Sequence, residues 1–325
     1  MNACLEDLLK KKVIFITGKG GVGKSTLAAA FSYYLAEQRG ERVLVIDADP
    51  AHSLPDTLGI GKKVALGRTG FSCSNKLVRV YDDLPLDLLL LDPVTDRRDY
   101  NGIHRIMWLL EMGKEVGFYS NLKRASEFFT MADALSRLFQ RYDKFVIDNE
   151  PSAGTLDILE NLDGWIVGLE GVKRYRALFN IIFGTGLIDK EIAQEVKSLI
   201  NEQNGFSIEN YKRIVSAAKM ALKEEKYVEP IIVSSPEEAV IRETHRLREE
   251  LKDKMNVNSH YVVFNKAATG GSLLENNQSK MIKFREESLA KCLVVPQMEP
   301  EVINLESEEG AKNMHKFILE SMRRL

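Results

Sequence analysis

A glycine-rich stretch near the N-terminus has the residue types and the spacing needed to bind phosphate. It reads GKGGVGKST from Gly18 to Thr26 and fits the pattern GxxxxGK[ST]. Its glycines let backbone N–H groups approach an anion, and a helix that follows would add its positive dipole end. The ammonium of Lys24 can reach the β- and γ-phosphates of a nucleotide, and the hydroxyl of Ser25 can bind Mg²⁺. The stretch therefore predicts a phosphate-binding loop.

Three aspartates at the ends of predicted strands offer carboxylates to the same site. Asp47 ends the strand RVLVID, Asp49 follows two residues later, and Asp148 ends the strand KFVID. Ligands of open parallel sheets bind beyond the carboxyl ends of the strands, so we expect these side chains beside the loop. One carboxylate can orient a water, and another can help to hold hydrated Mg²⁺. A capping role is the alternative for Asp47.

Short apolar runs alternate with longer helical patterns along the chain. Val13–Thr17 is typical of a buried strand closed by glycine, and Ser25–Arg39 is typical of a helix that ends before Gly40. This alternation predicts an α/β fold with a doubly wound, mainly parallel sheet covered on both faces. Further strands are predicted at Arg42–Asp47, Leu86–Leu91, Lys144–Asp148, Trp165–Leu169, Pro230–Ser234, Tyr261–Asn265 and Leu293–Val295.

Two segments interrupt the alternation because their patterns are helical throughout. They span about 100–140 and 174–226, and the second contains the apolar stretch LFNIIFGTGLI. Together they predict a helical subdomain inserted into a single domain that spans residues 1–325.

Composition and charge narrow the classes of partner. The chain has 325 residues, 44% of them hydrophobic, and a net charge of −2, which gives no support for nucleic acid as a partner. Three separated cysteines without a CxxC pair argue against a disulfide framework or a self-contained zinc site and favour a reducing cytoplasm. No apolar run approaches the roughly 18 residues of a membrane span, so stable membrane insertion is not expected.

The stretch KGGVGKST resembles the deviant Walker A motif of a class of dimeric P-loop ATPases. That class includes septum-placing, plasmid-partitioning, nitrogenase-iron and arsenite-pump proteins, and the resemblance implies a homodimer that binds ATP. Lys19 is the first lysine of the motif. The resemblance implies that its ammonium crosses the dimer interface to the partner's nucleotide, in the manner of an arginine finger. The alternative is that Lys19 is an ordinary surface lysine.

Within this class, the later segments resemble the arsenite-pump and tail-anchored-protein targeting ATPases. DPAHSLPDTLG, which begins at Asp49, is similar to the switch I motif DPAHSLSDxLG. The resemblance implies that Asp49 positions the attacking water and that His52 and Ser53 lie in the switch. The segment SSPEEAVIRETHRLREEL, from Ser234 to Leu251, resembles the strand-then-helix segment IPEEMALYETERAIxEL.

Two C-terminal segments resemble the part of the family that binds the base. YVVFNK resembles VVVNQ, which implies that Asn265 hydrogen-bonds the adenine edge. VVPQMEPEVINLE, which contains Pro296, resembles the loop VPLLPEEVxGLE that packs over the base. The predicted catalytic residues are Lys19, Lys24 and Asp49, and the predicted Mg²⁺ ligands are Ser25, Asp47 and Asp148. The predicted nucleotide-binding residues are Gly18, Lys19, Gly20, Gly21, Val22, Gly23, Lys24, Ser25, Thr26, Asn265 and Pro296.

The chain departs from the family pattern at switch II and at the cysteines. DNEPSAGT, from Asp148 to Thr155, stands where the family has DTAPTGHT, and its DNE resembles the ATPase that serves nickel insertion into carbon monoxide dehydrogenase. Residues 267–290 contain no cysteine, so the zinc bridge that joins many family dimers is not expected.

The resemblance implies a cytoplasmic, Mg²⁺-dependent ATPase that dimerises around ATP and couples hydrolysis to a hydrophobic client. Apolar residues of the helical subdomain would line a groove for a client helix, although they can also pack the subdomain's own core. The implied role is targeting of tail-anchored membrane proteins, which would involve a membrane receptor. One alternative is a metallocentre-maturation ATPase of the nickel-insertion type. Another is a binding module in which nucleotide locks a dimer with negligible turnover.

Overall fold

The structure, a computed structural model, describes residues 6, 8, 10–49, 53–68, 77–90, 138–149, 216, 226–268, 271–298, 305 and 307–325. The strands of this part of the chain are β1 (Val13–Gly18), β2 (Val43–Ala48), β3 (Leu77–Arg79), β4 (Leu86–Leu90), β5 (Lys144–Asn149), β6 (Val228–Ser234), β7 (Tyr261–Ala267), β8 (Lys291–Pro296) and β9 (Arg323–Arg324). Its helices are α1 (Lys24–Glu37), α2 (Leu54–Thr57), α3 (Gly61–Arg68), α4 (Glu238–Met255), α5 (Gly271–Ser288) and α6 (Glu308–Ser321).

The strands form one sheet in the order β3-β4-β2-β5-β1-β6-β7-β8-β9. Those from β4 to β8 run parallel, whereas β3 and β9 pair antiparallel with β4 and β8 at the two edges. Strands β2, β4 and β5 lie on one side of β1, and β6, β7 and β8 lie on the other. The strands are therefore added to the sheet on opposite sides of β1. The crevice beside the strand at which the order switches sides is where open α/β sheets bind ligands.

Helices cover both faces of the sheet. Val263 of β7 packs in the cluster that contains α1 and α6, while its neighbours Val262 and Phe264 pack with α4 and α5. Burial on both faces explains why the strands are apolar runs rather than alternating patterns. Helix α1, which follows the glycine-rich loop, is buried on nearly all sides between the sheet and α6, so the loop begins and ends on fixed elements.

Polar contacts fix the opposite, amino-terminal edge of the sheet. The ammonium of Lys144 donates to the carbonyl oxygens of Lys10 and Lys11, both at 2.9 Å. The guanidinium of Arg42 donates to both carboxylate oxygens of Asp143 at 3.1 and 2.8 Å and holds the pKa of Asp143 at about 2. These contacts tie the N-terminal segment and the starts of the central strands together.

The predicted fold class is confirmed: the protein is α/β with a mainly parallel sheet and helices on both faces. Element boundaries differ from the predicted ones by a few residues, as in α1, which begins at Lys24 and ends at Glu37. The sequence did not reveal β3 and β9, because edge strands of three and two residues carry no apolar run. In the part of the chain that the structure describes, no helix combines the length and the apolarity needed to cross a bilayer.

Some predictions fall on residues outside the described ranges. They include the strand Trp165–Leu169, nearly all of the helical subdomain predicted at about 100–140 and 174–226, and His52 in switch I. The described part of switch II ends at Asn149. The division of the chain into one domain with an inserted helical subdomain stays a prediction.

His315 is a buried histidine where α6 packs on α1. Its ring is 0% exposed and lies 5.7 Å from the ring of Tyr33. Neither ring nitrogen has a hydrogen-bond partner among the described residues. Burial lowers the pKa of His315 to about 3, so the native state holds the ring in its neutral form.

We expect His315→Leu to reduce the sensitivity of the fold to acid. The unfolded chain protonates this histidine near its ordinary pKa of 6.5, whereas the native state does so only near 3. Stability that is present above pH 6.5 is therefore lost as the pH falls, by roughly 2 kcal/mol at pH 5. Urea unfolding at pH 7.5 and pH 5 measures the effect. The same pH dependence in both proteins would contradict it.

Candidate nucleotide site

The loop between β1 and α1 depends on two glycines that no other residue could replace. Gly18 has a φ of +145°, and a Cβ atom there would lie 2.2 Å from the carbonyl oxygen of Val233 in β6. Gly23 has a φ of +95°, and its Cβ atom would lie 2.2 Å from Nδ2 of Asn265 in β7. Side chains rarely adopt such φ values, and both distances are far below van der Waals contact. The loop is thus pressed against β6 and β7.

Lys24, the first residue of α1, is almost completely buried. Its ammonium donates to the carbonyl oxygen of Lys19 at 3.3 Å, which places the charge over the loop. A buried ammonium requires acceptors around it, and a phosphate would be a stronger acceptor than a neutral carbonyl. The geometry is suited to the predicted contact with the β- and γ-phosphates, and that contact stays a prediction.

Lys19 has a different environment. Its ammonium lies 3.4 Å from Oε2 of Glu243 in α4, and the side chain is 42% exposed. Exposed ion pairs of this kind contribute only about 0–1 kcal/mol, so a phosphate could displace Glu243 at little cost. Glu243 was not among the predicted site residues, although it lies in the segment from Ser234 to Leu251 that resembles the family.

Asp47 and Asp148 lie side by side on neighbouring strands. The two residues are paired in the register of β2 with β5, and both are 0% exposed. Oδ1 of Asp47 accepts a hydrogen bond of 3.2 Å from the backbone N–H of Asp49. This confirms that the ends of these strands bring the predicted carboxylates together. Their roles toward Mg²⁺ and water are not settled by that proximity.

The carboxylate of Asp148 is strongly desolvated. Neither of its oxygens has a hydrogen-bond partner among the described residues. Burial raises the pKa of Asp148 to about 7, and Asp47 and Asp49 add to that rise. The ammonium of Lys24 and the hydroxyl of Ser25 lower this pKa in part. Burial thus outweighs the favourable effects of Lys24 and Ser25 on the ionised carboxylate.

Ser25 connects the loop with the start of the switch I helix. Its Oγ lies 2.7 Å from Oγ of Ser53, which caps α2, and the hydroxyl of Thr57 donates to the carbonyl of Ser53 at 2.9 Å. The Ser25 hydroxyl is thus shared between the candidate metal position and switch I. A ligand that draws this hydroxyl toward itself would alter the contact with Ser53.

The end of β7 contacts the loop through two consecutive side chains. Nδ2 of Asn265 donates to the carbonyl oxygen of Val22 at 2.9 Å, and the ammonium of Lys266 donates to that of Gly21 at 2.7 Å. Pro296, at the end of β8, is paired with Ala267 and lies at the same edge of the sheet. The predicted adenine contact of Asn265 is not tested by this arrangement, because an amide has a further donor and an acceptor. Lys266 was not among the predicted site residues.

The donor set around Asp148 fits Mg²⁺. This ion usually keeps several waters and takes one or two carboxylates together with substrate phosphates. Ser25, Asp47 and Asp148 provide a hydroxyl and two buried carboxylates, and the oxygens of Asp148 accept no hydrogen bond from the residues that the structure describes. Within the described ranges, no group of three or more histidine, cysteine, aspartate or glutamate residues could hold a metal ion by itself.

Comparison with known proteins places the chain in a family of P-loop ATPases. The family described as Anion-transporting ATPase matches residues 11–80 and 111–297, which is more than half of the chain. ATPase ASNA1 homolog 1 of Paramecium tetraurelia is 26% identical over 87% of this chain and 81% of its own length. Two Arabidopsis thaliana proteins, ATPase GET3A and ATPase GET3C, are 26% and 25% identical over 90% and 91% of this chain and 77% and 76% of their own lengths.

The chain therefore belongs to the anion-transporting ATPase family and is an ATPase that binds nucleotide. This confirms the resemblance found in its sequence. The assignment of roles to individual residues, the requirement for Mg²⁺ and the client stay predictions.

We expect Asp148→Asn to stabilise the nucleotide-free protein and to weaken binding of MgATP. The cost of burying the ionised carboxylate begins above its ordinary pKa of 3.8 and is complete above about pH 7. At pH 8 the amide should raise the free energy of unfolding by roughly 1–3 kcal/mol, because its own missing partner offsets part of the gain.

Thermal unfolding at pH 8, with and without MgATP, measures both effects. The Tm without nucleotide should rise, and the further increase caused by MgATP should shrink. A lower Tm without nucleotide, together with full stabilisation by MgATP, would contradict this role of Asp148.

Proposed function

We propose that the protein is a Mg²⁺-dependent ATPase that dimerises around ATP and couples hydrolysis to the binding and release of a hydrophobic client. The observation that carries the proposal is the position of Lys19. This first lysine of the loop is paired with Glu243 at the surface, while Lys24 lies buried over the loop. A cation held beside the site in this way is available to a second molecule.

The chain supplies distinct groups for binding and for the reaction. The N–H groups of the loop and the ammonium of Lys24 bind the phosphates, and Ser25, Asp47 and Asp148 hold the metal. When bound, Mg²⁺ would supply positive charge that offsets the negative charge of the phosphates. Asp49, at the end of β2, positions the water that attacks the γ-phosphate. The ammonium of Lys19 from the partner subunit stabilises the charge that develops on the transferred group.

Two contacts can transmit the state of the γ-phosphate to the rest of the molecule. The hydroxyl of Ser25 forms a hydrogen bond with that of Ser53 at the start of α2, so a ligand held by Ser25 would alter the contact with the segment predicted to be switch I. Asp148 is the first residue of the segment that stands in the place of switch II. Loss of the γ-phosphate and its metal would release both segments, as in other phosphate-loop switches.

Dimer closure makes hydrolysis depend on two chains. When two molecules meet across their loops, Lys19 exchanges Glu243 for the triphosphate of the partner. Because the exposed pair with Glu243 is weak, the exchange gains much more from the phosphates than it loses. The protein therefore hydrolyses ATP when closed and reopens after the phosphate leaves.

The proposed client is the apolar helix of a tail-anchored membrane protein, received in the cytoplasm and passed to a membrane receptor. Support comes from the resemblance of switch I and of the segment from Ser234 to Leu251 to the targeting ATPases of the family. The large apolar residues of the predicted helical subdomain provide the candidate groove. The motif DNE favours the second candidate, a metallocentre-maturation ATPase.

The experiment tests turnover and client capture with one purified chain. The client is a soluble domain with a single C-terminal apolar helix, and the matched control carries two arginines in the middle of that helix. We expect a stable complex with the first only, and release of the client on addition of MgATP. Lys24→Ala should abolish both turnover and release, because it removes the buried ammonium.

Two results would contradict the proposal. Equal capture of both test proteins would exclude recognition of an apolar helix. Activation of a nickel enzyme by the chain, without capture of the apolar helix, would favour the metallocentre candidate instead.

A further inference from the structure

We infer that Lys266 is a positioning residue that holds the phosphate loop in its binding conformation. In the family motif that YVVFNK resembles, a glutamine stands at this position. Lys266 is an exposed residue, yet its ammonium donates to the carbonyl oxygen of Gly21 at 2.7 Å. The inference rests on the binding of a nucleoside triphosphate at the loop, which is part of the proposed function.

The backbone of β7 is irregular at this point. Phe264 is paired with Val294 and Ala267 with Pro296, so three steps along β7 match only two along β8. The extra residue forms a bulge, which is rare between parallel strands and is used next to active sites to redirect side chains. Lys266 also has a φ of +57°, a region that residues other than glycine seldom occupy.

The bulge explains why two consecutive side chains reach the same loop. In a regular strand, the side chains of Asn265 and Lys266 would point to opposite faces of the sheet. Here Asn265 contacts the carbonyl of Val22 and Lys266 contacts that of Gly21, the preceding residue. The irregular backbone costs free energy, but it allows both side chains to form hydrogen bonds with the loop.

These bonds act on the carbonyl side of an anion-binding loop. A loop that directs its N–H groups toward a phosphate directs its carbonyl oxygens away, and these oxygens need donors. Asn265 and Lys266 satisfy the carbonyls of Val22 and Gly21, while Lys24 satisfies that of Lys19. Without Lys266, part of the ordering of the loop would have to occur during binding and would reduce affinity.

The contact also connects the two ends of the nucleotide site. The bulged segment of β7 is paired with the end of β8, where Pro296 is predicted to lie near the base. Lys266 therefore ties the phosphate loop to the strand ends that flank the base. Because Lys266 contacts the phosphate loop and not the base, its loss should also weaken the binding of a ligand that has no base.

The experiment compares MgATP with magnesium tripolyphosphate, which lacks the nucleoside, by isothermal titration calorimetry. Lys266→Met keeps most of the aliphatic stem and removes the ammonium. We expect it to weaken binding of both ligands roughly five- to tenfold, as the loss of one exposed hydrogen bond would. Lys266→Arg, which keeps the charge and the donors, should restore most of the affinity.

The matched control is Lys252→Met, which removes an exposed lysine near the C-terminal end of α4. It should leave both affinities unchanged. The Tm of the nucleotide-free protein should also be the same in the native chain and in Lys266→Met, because the lysine is exposed. A lower Tm without ligand would assign Lys266 a general structural role and overturn the inference.

Three further results have distinct meanings. Unchanged affinity of Lys266→Met for both ligands would overturn the inference and leave the proposed function standing. Weaker binding of MgATP alone would place the effect on the nucleoside and overturn the positioning role. Failure of the native chain to bind either ligand would remove the proposed function and this inference together.

Discussion

The carboxyl edge of the central strands brings buried groups of opposite charge into one site. The loop brings its N–H groups and the buried ammonium of Lys24 to this edge, and the adjacent ends of β2 and β5 bring two buried carboxylates, Asp47 and Asp148. A phosphate alone would lie close to two negative groups, and a metal alone would lie beside Lys24. A magnesium–triphosphate complex, the proposed ligand, would offer each group the opposite charge.

The rest of the molecule positions this edge, but it does not direct the ammonium of Lys19 toward the site. Burial of the sheet on both faces fixes the strand ends, and the contacts of Val233, Asn265 and Lys266 fix the loop between them. Lys19 alone is directed elsewhere, toward Glu243 in α4. A single chain therefore presents a preorganised phosphate site whose second cation faces outward. In the proposed mechanism, this arrangement makes hydrolysis conditional on a second chain.

Features that depend on local pattern could be predicted from the sequence, and those that depend on distant contacts could not. The central strands are long apolar runs, and parallel strands end at one edge, so the proximity of Asp47 and Asp148 followed directly. The edge strands β3 and β9 are too short to carry a pattern. The contact of Lys266 with Gly21 joins positions 245 residues apart and depends on a bulge in β7. The residue types of this segment did not predict the bulge. The ion pair of Lys19 with Glu243 was not predicted either, because these residues are also far apart in the sequence.

The most direct test of the shared site is the ATPase rate of an equimolar mixture of Lys19→Ala and Asp49→Asn chains, each inactive alone. In a mixed dimer, the site of the Lys19→Ala chain keeps its own Asp49 and receives Lys19 from the partner, so one of the two sites is complete. Random pairing should then restore roughly a quarter of the native rate in a two-fold symmetric dimer. If Lys19 acts within its own chain, no complete site can form, and a mixture as inactive as its components would contradict the account.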